Sequence, residues 1–138
     1  MQVFTNIRIF GALCVMLAVL AFSACGGAHS SPEEAAKQMT QFMVDGKIES
    51  MIKELRNSSG EAFSKDDEKE LLNAKFQMGV ENIAQKGKVK SISTSEVSYN
   101  DDKTKASVTV VIEFESGESS TNTWQVWLFN GQWFCILS

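Results

Sequence analysis

Residues 105–137 read KASVTVVIEFESGESSTNTWQVWLFNGQWFCIL, and their alternation marks the C-terminal part of the chain as antiparallel sheet. Ala106, Val108, Val110, Ile112 and Phe114 fall on one side of a strand, with Ser107, Thr109, Val111 and Glu113 on the other. Asn130-Gly131 between two apolar runs is the sequence of a type I′ hairpin turn, which needs a positive φ at both positions. Ser116-Gly117 reads as another tight turn. Strands are therefore expected over 106–114, 119–129 and 132–137. Upstream, Val89 to Tyr99 forms a further strand, in which Ile92 has opposite parity to Val97 and Tyr99, so a bulge is expected between them. Asn100-Asp101-Asp102-Lys103 turns the chain.

Reading Ser116-Gly117 as a two-residue turn pairs Val110 with Thr123 and Ala106 with Trp127, while Asn130-Gly131 pairs Trp127 with Phe134 and Val126 with Cys135. One face then gathers Val108, Val110, Ile112, Phe114, Trp127, Phe129, Phe134 and Ile136 as the floor for the helices. The other carries Trp124, Val126, Leu128, Trp133, Cys135 and Leu137, an apolar outer face that is a candidate contact surface for a second copy or a protein partner. The competing expectation is that curvature, or a register slip at a bulge, tucks part of that face into the core.

Residues 31–86 carry helical periodicity. Ser31-Pro32-Glu33-Glu34 combines a capping serine, proline at the first helical position and a glutamate that completes a capping box. Ala35, Met39, Phe42 and Met43 line one face up to a stop at Asp45-Gly46. Ile48, Met51, Ile52 and Leu55 form the stripe of a short second helix, broken at Asn57-Ser58-Ser59-Gly60. Ser64 is the expected cap of a longer third helix. Asp66, Asp67 and Glu68 lie in its first turn, and Leu72, Phe76, Gly79, Val80 and Ile83 form its inner face with Leu71 alongside. Gly79 implies close approach of a neighbouring element. The acidic turn lacks the alternating ligand spacing of a cation loop and reads as compensation of the helix dipole, so no metal site is expected.

Ahead of the domain, residues 1–24 have the three-part pattern of a secretory signal: a short segment carrying Arg8, an apolar run from Ile9 to Phe22, and small residues before Cys25. The run is short for a permanent membrane span. Ser23-Ala24-Cys25 resembles a bacterial lipobox, although Phe22 stands where that pattern usually has leucine. The resemblance implies acylation, palmitate included, of Cys25. An ordinary signal peptide cut nearby is the alternative. Gly26 after the cysteine resembles outer-membrane sorting if the cell has two membranes. Residues 25–31 read as lipidated cysteine and flexible tether, with His29 as a spacer residue, and 32–138 as the folded domain.

Arg8 is the only charged side chain before Cys25, so the remainder holds 12 basic and 17 acidic side chains, a net charge of −5. That balance argues against nucleic-acid binding, where phosphate neutralisation supplies most of the affinity. With Cys14 in the leader and Cys25 acylated, Cys135 has no disulfide partner and reads as a small buried hydrophobe.

Helix, short helix, long helix and a four-stranded meander is the order of the cystatin-like or nuclear-transport-factor-2-like cone. The chain resembles a group of short bacterial lipoproteins of that fold, often described as lumazine-binding-like. The residues that carry the likeness are Cys25-Gly26-Gly27, Ser31-Pro32-Glu33-Glu34-Ala35-Ala36, Val44-Asp45-Gly46-Lys47, Lys105-Ala106-Ser107-Val108-Thr109-Val110 and Asn130-Gly131-Gln132-Trp133. The expected class is α+β, with N-terminal helices packed on an antiparallel sheet. Enzymes of the fold place an Asp, His or Tyr inside the cone, and neither catalytic residues nor a cofactor site is legible here. The expectation is a non-catalytic binding or interaction domain of the cell envelope, held at the membrane through acyl chains on Cys25. An isomerase or hydratase using a carboxylate in the cone is the alternative, and a protein inhibitor a more distant one.

Overall fold

A computed structural model describes residues 29–137. The expected leader, Cys25 and the greater part of the expected tether lie outside those residues. Three helices, α1 (Pro32–Asp45), α2 (Ile48–Glu54) and α3 (Asp66–Gln85), precede four strands, β1 (Val89–Tyr99), β2 (Lys105–Phe114), β3 (Ser119–Phe129) and β4 (Gln132–Cys135). The strands form one antiparallel sheet in sequence order, and the class is α+β as expected.

The helix ends follow local chemistry. Ser31 Oγ accepts the Glu34 N–H at 3.3 Å, and the Glu34 carboxylate reaches back to the N–H of Ser30 at 3.2 Å, one residue short of the usual capping-box partner. Gly46, at φ 72°, closes α1, with its N–H on the Met43 carbonyl and that of Lys47 on the Phe42 carbonyl. The third helix departs from expectation: Lys65 occupies the cap position without a side-chain bond, so Ser64 is not the cap. Instead the Asp67 carboxylate accepts the Glu68 N–H at 2.9 Å. Leu72, Phe76 and Ile83 are buried, but Leu71 is 75% exposed and points away from the core. The element that approaches Gly79 is Met43 of α1, whose Sδ would lie 3.5 Å from a Cβ placed there, an ordinary contact that leaves room for alanine.

The expected bulge in β1 falls between Thr94 and Glu96, and a second irregularity between Val89 and Ser91. The Asn130-Gly131 turn has φ of 51° and 78°, and the β3–β4 register is as expected: Phe129 with Gln132, Trp127 with Phe134, Val126 with Cys135.

The β2–β3 register is one residue away from expectation. Ala106 pairs with Val126, Val108 with Trp124 and Val110 with Asn122. The cause is the turn. The Phe114 N–H bonds the Glu118 carbonyl, and Gly117 has a φ of 94°, so Glu115-Ser116-Gly117 is a three-residue loop with its left-handed residue last. Because side chains alternate along a strand, a slip of one residue turns all of β3 and β4 over. Trp124, Val126, Leu128, Trp133 and Cys135 therefore face the helices with Ala106, Val108, Val110, Ile112 and Phe114. Val126, Trp133 and Cys135 are buried, while Trp124, Leu128 and Leu137 are half-buried against the same core. Trp127, Phe129 and Phe134, expected as floor, lie half-buried on the outer face. The six residues expected to form an outer apolar surface thus belong to the interior.

Candidate functional site

The reassigned face is held by specific polar contacts. Trp124 donates its Nε1–H to Thr40 Oγ1 at 3.0 Å, and the Thr40 hydroxyl, fully buried, donates to the Ala36 carbonyl at 2.9 Å. The Cys135 thiol points at the Ala35 carbonyl, 3.6 Å away. Burial, and secondarily the Glu54 carboxylate, push that thiol far above its ordinary range, so it is neither a thiolate nor a nucleophile in the folded chain. Among the described residues no cluster of His, Cys, Asp and Glu is placed to hold a metal ion, and no helix is long and apolar enough to cross a membrane.

His29 departs from its reading as a spacer. It is buried, its Nε2 lies 3.0 Å from Glu54 Oε2, and its carbonyl accepts the Trp133 N–H at 3.1 Å. The folded domain thus begins at least three residues earlier than expected, with His29 laid along the edge of β4. The same edge is covered further on by Arg56, whose N–H donates to the Cys135 carbonyl and whose carbonyl accepts the Leu137 N–H. A covered edge cannot template pairing with another chain. No local pattern announces this, because His29 is held by residues 25 and 104 positions away. Near this corner Tyr99 and Trp133 meet edge to face, centroids 6.1 Å apart. Partial burial, then the Glu33 carboxylate, raise the Tyr99 hydroxyl above its ordinary value. One Glu33 carboxylate oxygen is buried without a hydrogen-bond partner among the described residues.

Two further surfaces were not legible in the sequence. The first is a groove of about 810 Å³ where α2 and α3 diverge, lined by Ile52 and Phe63 at its apolar centre and by Glu49, Lys53, Lys69 and Glu70 at its margins. Ala62 and Phe63, from the segment that joins the two helices, complete its lining. The second is the outer face of β3 and β4. Trp127, Phe129 and Phe134 lie along it as tilted neighbours, with Phe129 at a centroid distance of 6.4 Å from each of the other two rings. The Lys105 ammonium lies 3.9 Å from the Trp127 ring centroid and the Arg56 guanidinium 4.4 Å from that of Phe134. Gly60 rests on the Phe129 ring so closely that an added Cβ would come within 2.8 Å of it.

The fold is shared with a crystal structure from Campylobacter jejuni, of a protein provisionally named as an NTF2-like transpeptidase. The two agree with a TM-score of 0.64 at 26% identity, over 79% of this chain and 100% of that one. No curated protein matches. A family model described as a domain of unknown function, DUF4878, matches residues 23–136, which takes in every helix and strand above, and the chain belongs to that family.

Proposed function

We propose that this protein is a non-catalytic binding domain of the bacterial cell envelope, anchored through acyl chains on Cys25 and taking its ligand in the groove between α2 and α3. The groove carries the reading. It pairs an apolar centre, Ile52 and Phe63, with two lysines and two glutamates at the rim, and its lining includes neither histidine nor cysteine. Such a lining suits recognition of a mixed apolar and polar group better than proton transfer. Met39, Met51, Leu55, Phe114 and Val126 are fully buried between helices and sheet, whereas the groove is open to solvent and accessible to a ligand.

An enzymatic reading has one observation in its favour, the Glu33 carboxylate with a buried, unpartnered oxygen beside Tyr99. The name of the C. jejuni relative suggests transpeptidation, but Cys135, the one cysteine among the described residues, is buried with its thiol held in the protonated form, which disfavours a thiol mechanism at that position.

Two measurements test the proposal. Cys25→Ala should abolish incorporation of radioactive palmitate, and persistent labelling would remove the anchor. Native mass spectrometry of the purified protein should find a bound small molecule that is lost in Phe63→Glu. Retention of that molecule in Phe63→Glu and its loss in Glu33→Gln would move the site to the Tyr99 corner.

A further inference from the structure

The position of His29 determines more than where the domain begins. Its carbonyl is bonded to the Trp133 N–H and its ring to the Glu54 carboxylate. Only residues 26–28 separate it from Cys25. Four residue steps reach at most about 14 Å, close to the roughly 13 Å radius of gyration of a domain this size. An anchor at Cys25 would therefore tie the domain to the membrane at one defined corner, the edge of β4, with no slack to roll onto its far side.

What lies at that corner is chemically distinctive. The residue after Trp133 is Phe134, whose ring sits on the outer sheet face under the Arg56 guanidinium. Beside it Trp127 lies under the exposed Lys105 ammonium. Arg56 is itself hydrogen-bonded to the β4 edge that holds His29. Amphipathic aromatic rings with lysine and arginine heads are the side chains that settle at the headgroup level of a bilayer, and each basic residue near an anionic surface adds attraction. Against a net charge of −5 for residues 25–138, a patch whose charged members are both basic favours its own approach to anionic lipid.

We propose that the His29 clamp presents Arg56, Lys105, Trp127 and Phe134 to an anionic lipid surface, so that the outer face of β3–β4 rests on the membrane that holds the anchor. This rests on the acylation of Cys25 proposed above. The clamp is the positioning device: without it the tether lengthens and the patch loses its preferred approach.

The test uses the full-length protein produced in a bacterial host and reconstituted into vesicles of phosphatidylethanolamine with one quarter phosphatidylglycerol. An environment-sensitive fluorophore is placed on Gln125→Cys, on the outer face two residues before Trp127, or on Met78→Cys, an exposed position of α3. Cys135 is buried and does not compete for label. Brominated lipid should quench the probe at 125 at least threefold more than that at 78. The difference should shrink in Arg56→Glu/Lys105→Glu, in His29→Ala, and in vesicles of phosphatidylcholine alone, while flotation with the vesicles is retained. Equal quenching at both sites with flotation intact would overturn the docking proposal and leave the anchor standing. Shielding of position 125 from a water-soluble quencher without quenching by lipid would also overturn it, in favour of a second copy or another protein on this face. Loss of flotation and of palmitate labelling together would instead remove the anchor itself.

Discussion

Replacing Thr40 by valine removes the single acceptor of the Trp124 indole N–H while keeping the shape of the side chain. Thr40 is fully buried, and its Oγ1 lies 3.0 Å from Trp124 Nε1 and 2.9 Å from the Ala36 carbonyl. The Ala36 carbonyl keeps its helical partner, so the loss centres on the indole. An N–H left without a partner in a largely buried site costs about 1–3 kcal/mol. Trp124 is only half-buried, so water recovers some of that, and about 1–2 kcal/mol is expected for Thr40→Val. Trp124→Phe sheds the N–H together with part of the ring, and costs more through lost packing. The informative quantity is the coupling. Once Trp124 is phenylalanine, Thr40→Val should cost about 1 kcal/mol less than in the wild type, because no donor remains to be stranded. Urea denaturation of the four proteins, with unchanged m-values, measures this. A coupling within about 0.3 kcal/mol of zero would refute the reasoning and place Trp124 on the solvent face, as the two-residue reading of Ser116-Gly117 would have it.

Three further outcomes follow from other contacts. Gly60→Ala should destabilise the protein by about 2–4 kcal/mol, from left-handed strain at φ 83° and displacement of the Phe129 ring. Gly131→Ala, with equal strain but open space around it, should cost about half as much in the same denaturation assay. The thiol of Cys135, raised by burial and then by Glu54, should resist iodoacetamide at pH 8 and react fully in denaturant, in protein whose other cysteines are alanine. Rapid alkylation of the native state would show that β4 is not packed as described. Tyr99 is the one tyrosine of the chain, so its ionisation can be followed at 295 nm. Its hydroxyl is raised in the fold, which favours the neutral form there. The stabilisation this gives is present below the phenol's ordinary value and is lost as pH climbs through the raised one. Glu33→Gln should bring the native midpoint down, and an unchanged midpoint would mean that the carboxylate does not act on it.

Much of the architecture was legible because it rests on short-range chemistry. Ser31 and Gly46 bound the first helix through bonds to residues three or four positions away. The stripes Ile48-Met51-Ile52-Leu55 and Leu72-Phe76-Ile83 bury as periodicity requires. Asn130-Gly131 imposes its own register, since both residues accept positive φ. The site was far less legible. The apolar surface expected at Trp124, Val126, Leu128, Trp133, Cys135 and Leu137 is interior. The groove depends on where the 56–65 segment, which has no periodicity to read, places Ala62 and Phe63, and the aromatic face under Arg56 and Lys105 follows from the one-residue shift of β3.

The division between the two kinds of knowledge is physical. Alternation in residues 105–137 by itself determined that strands exist, where they turn, and that β2 buries Ala106, Val108, Val110, Ile112 and Phe114. It left open which face of β3 meets them, because that depends on whether Gly117 ends a two- or a three-residue loop, and both are good turns for the same letters. Only the tertiary structure decides, by offering Trp124 a buried hydroxyl on α1 and Cys135 a place under Ala35. His29 is the same case in miniature: a lone residue after Gly26-Gly27-Ala28 carries no local signal, and becomes part of the fold only because Glu54 and Trp133, remote in the chain, close on it from two sides.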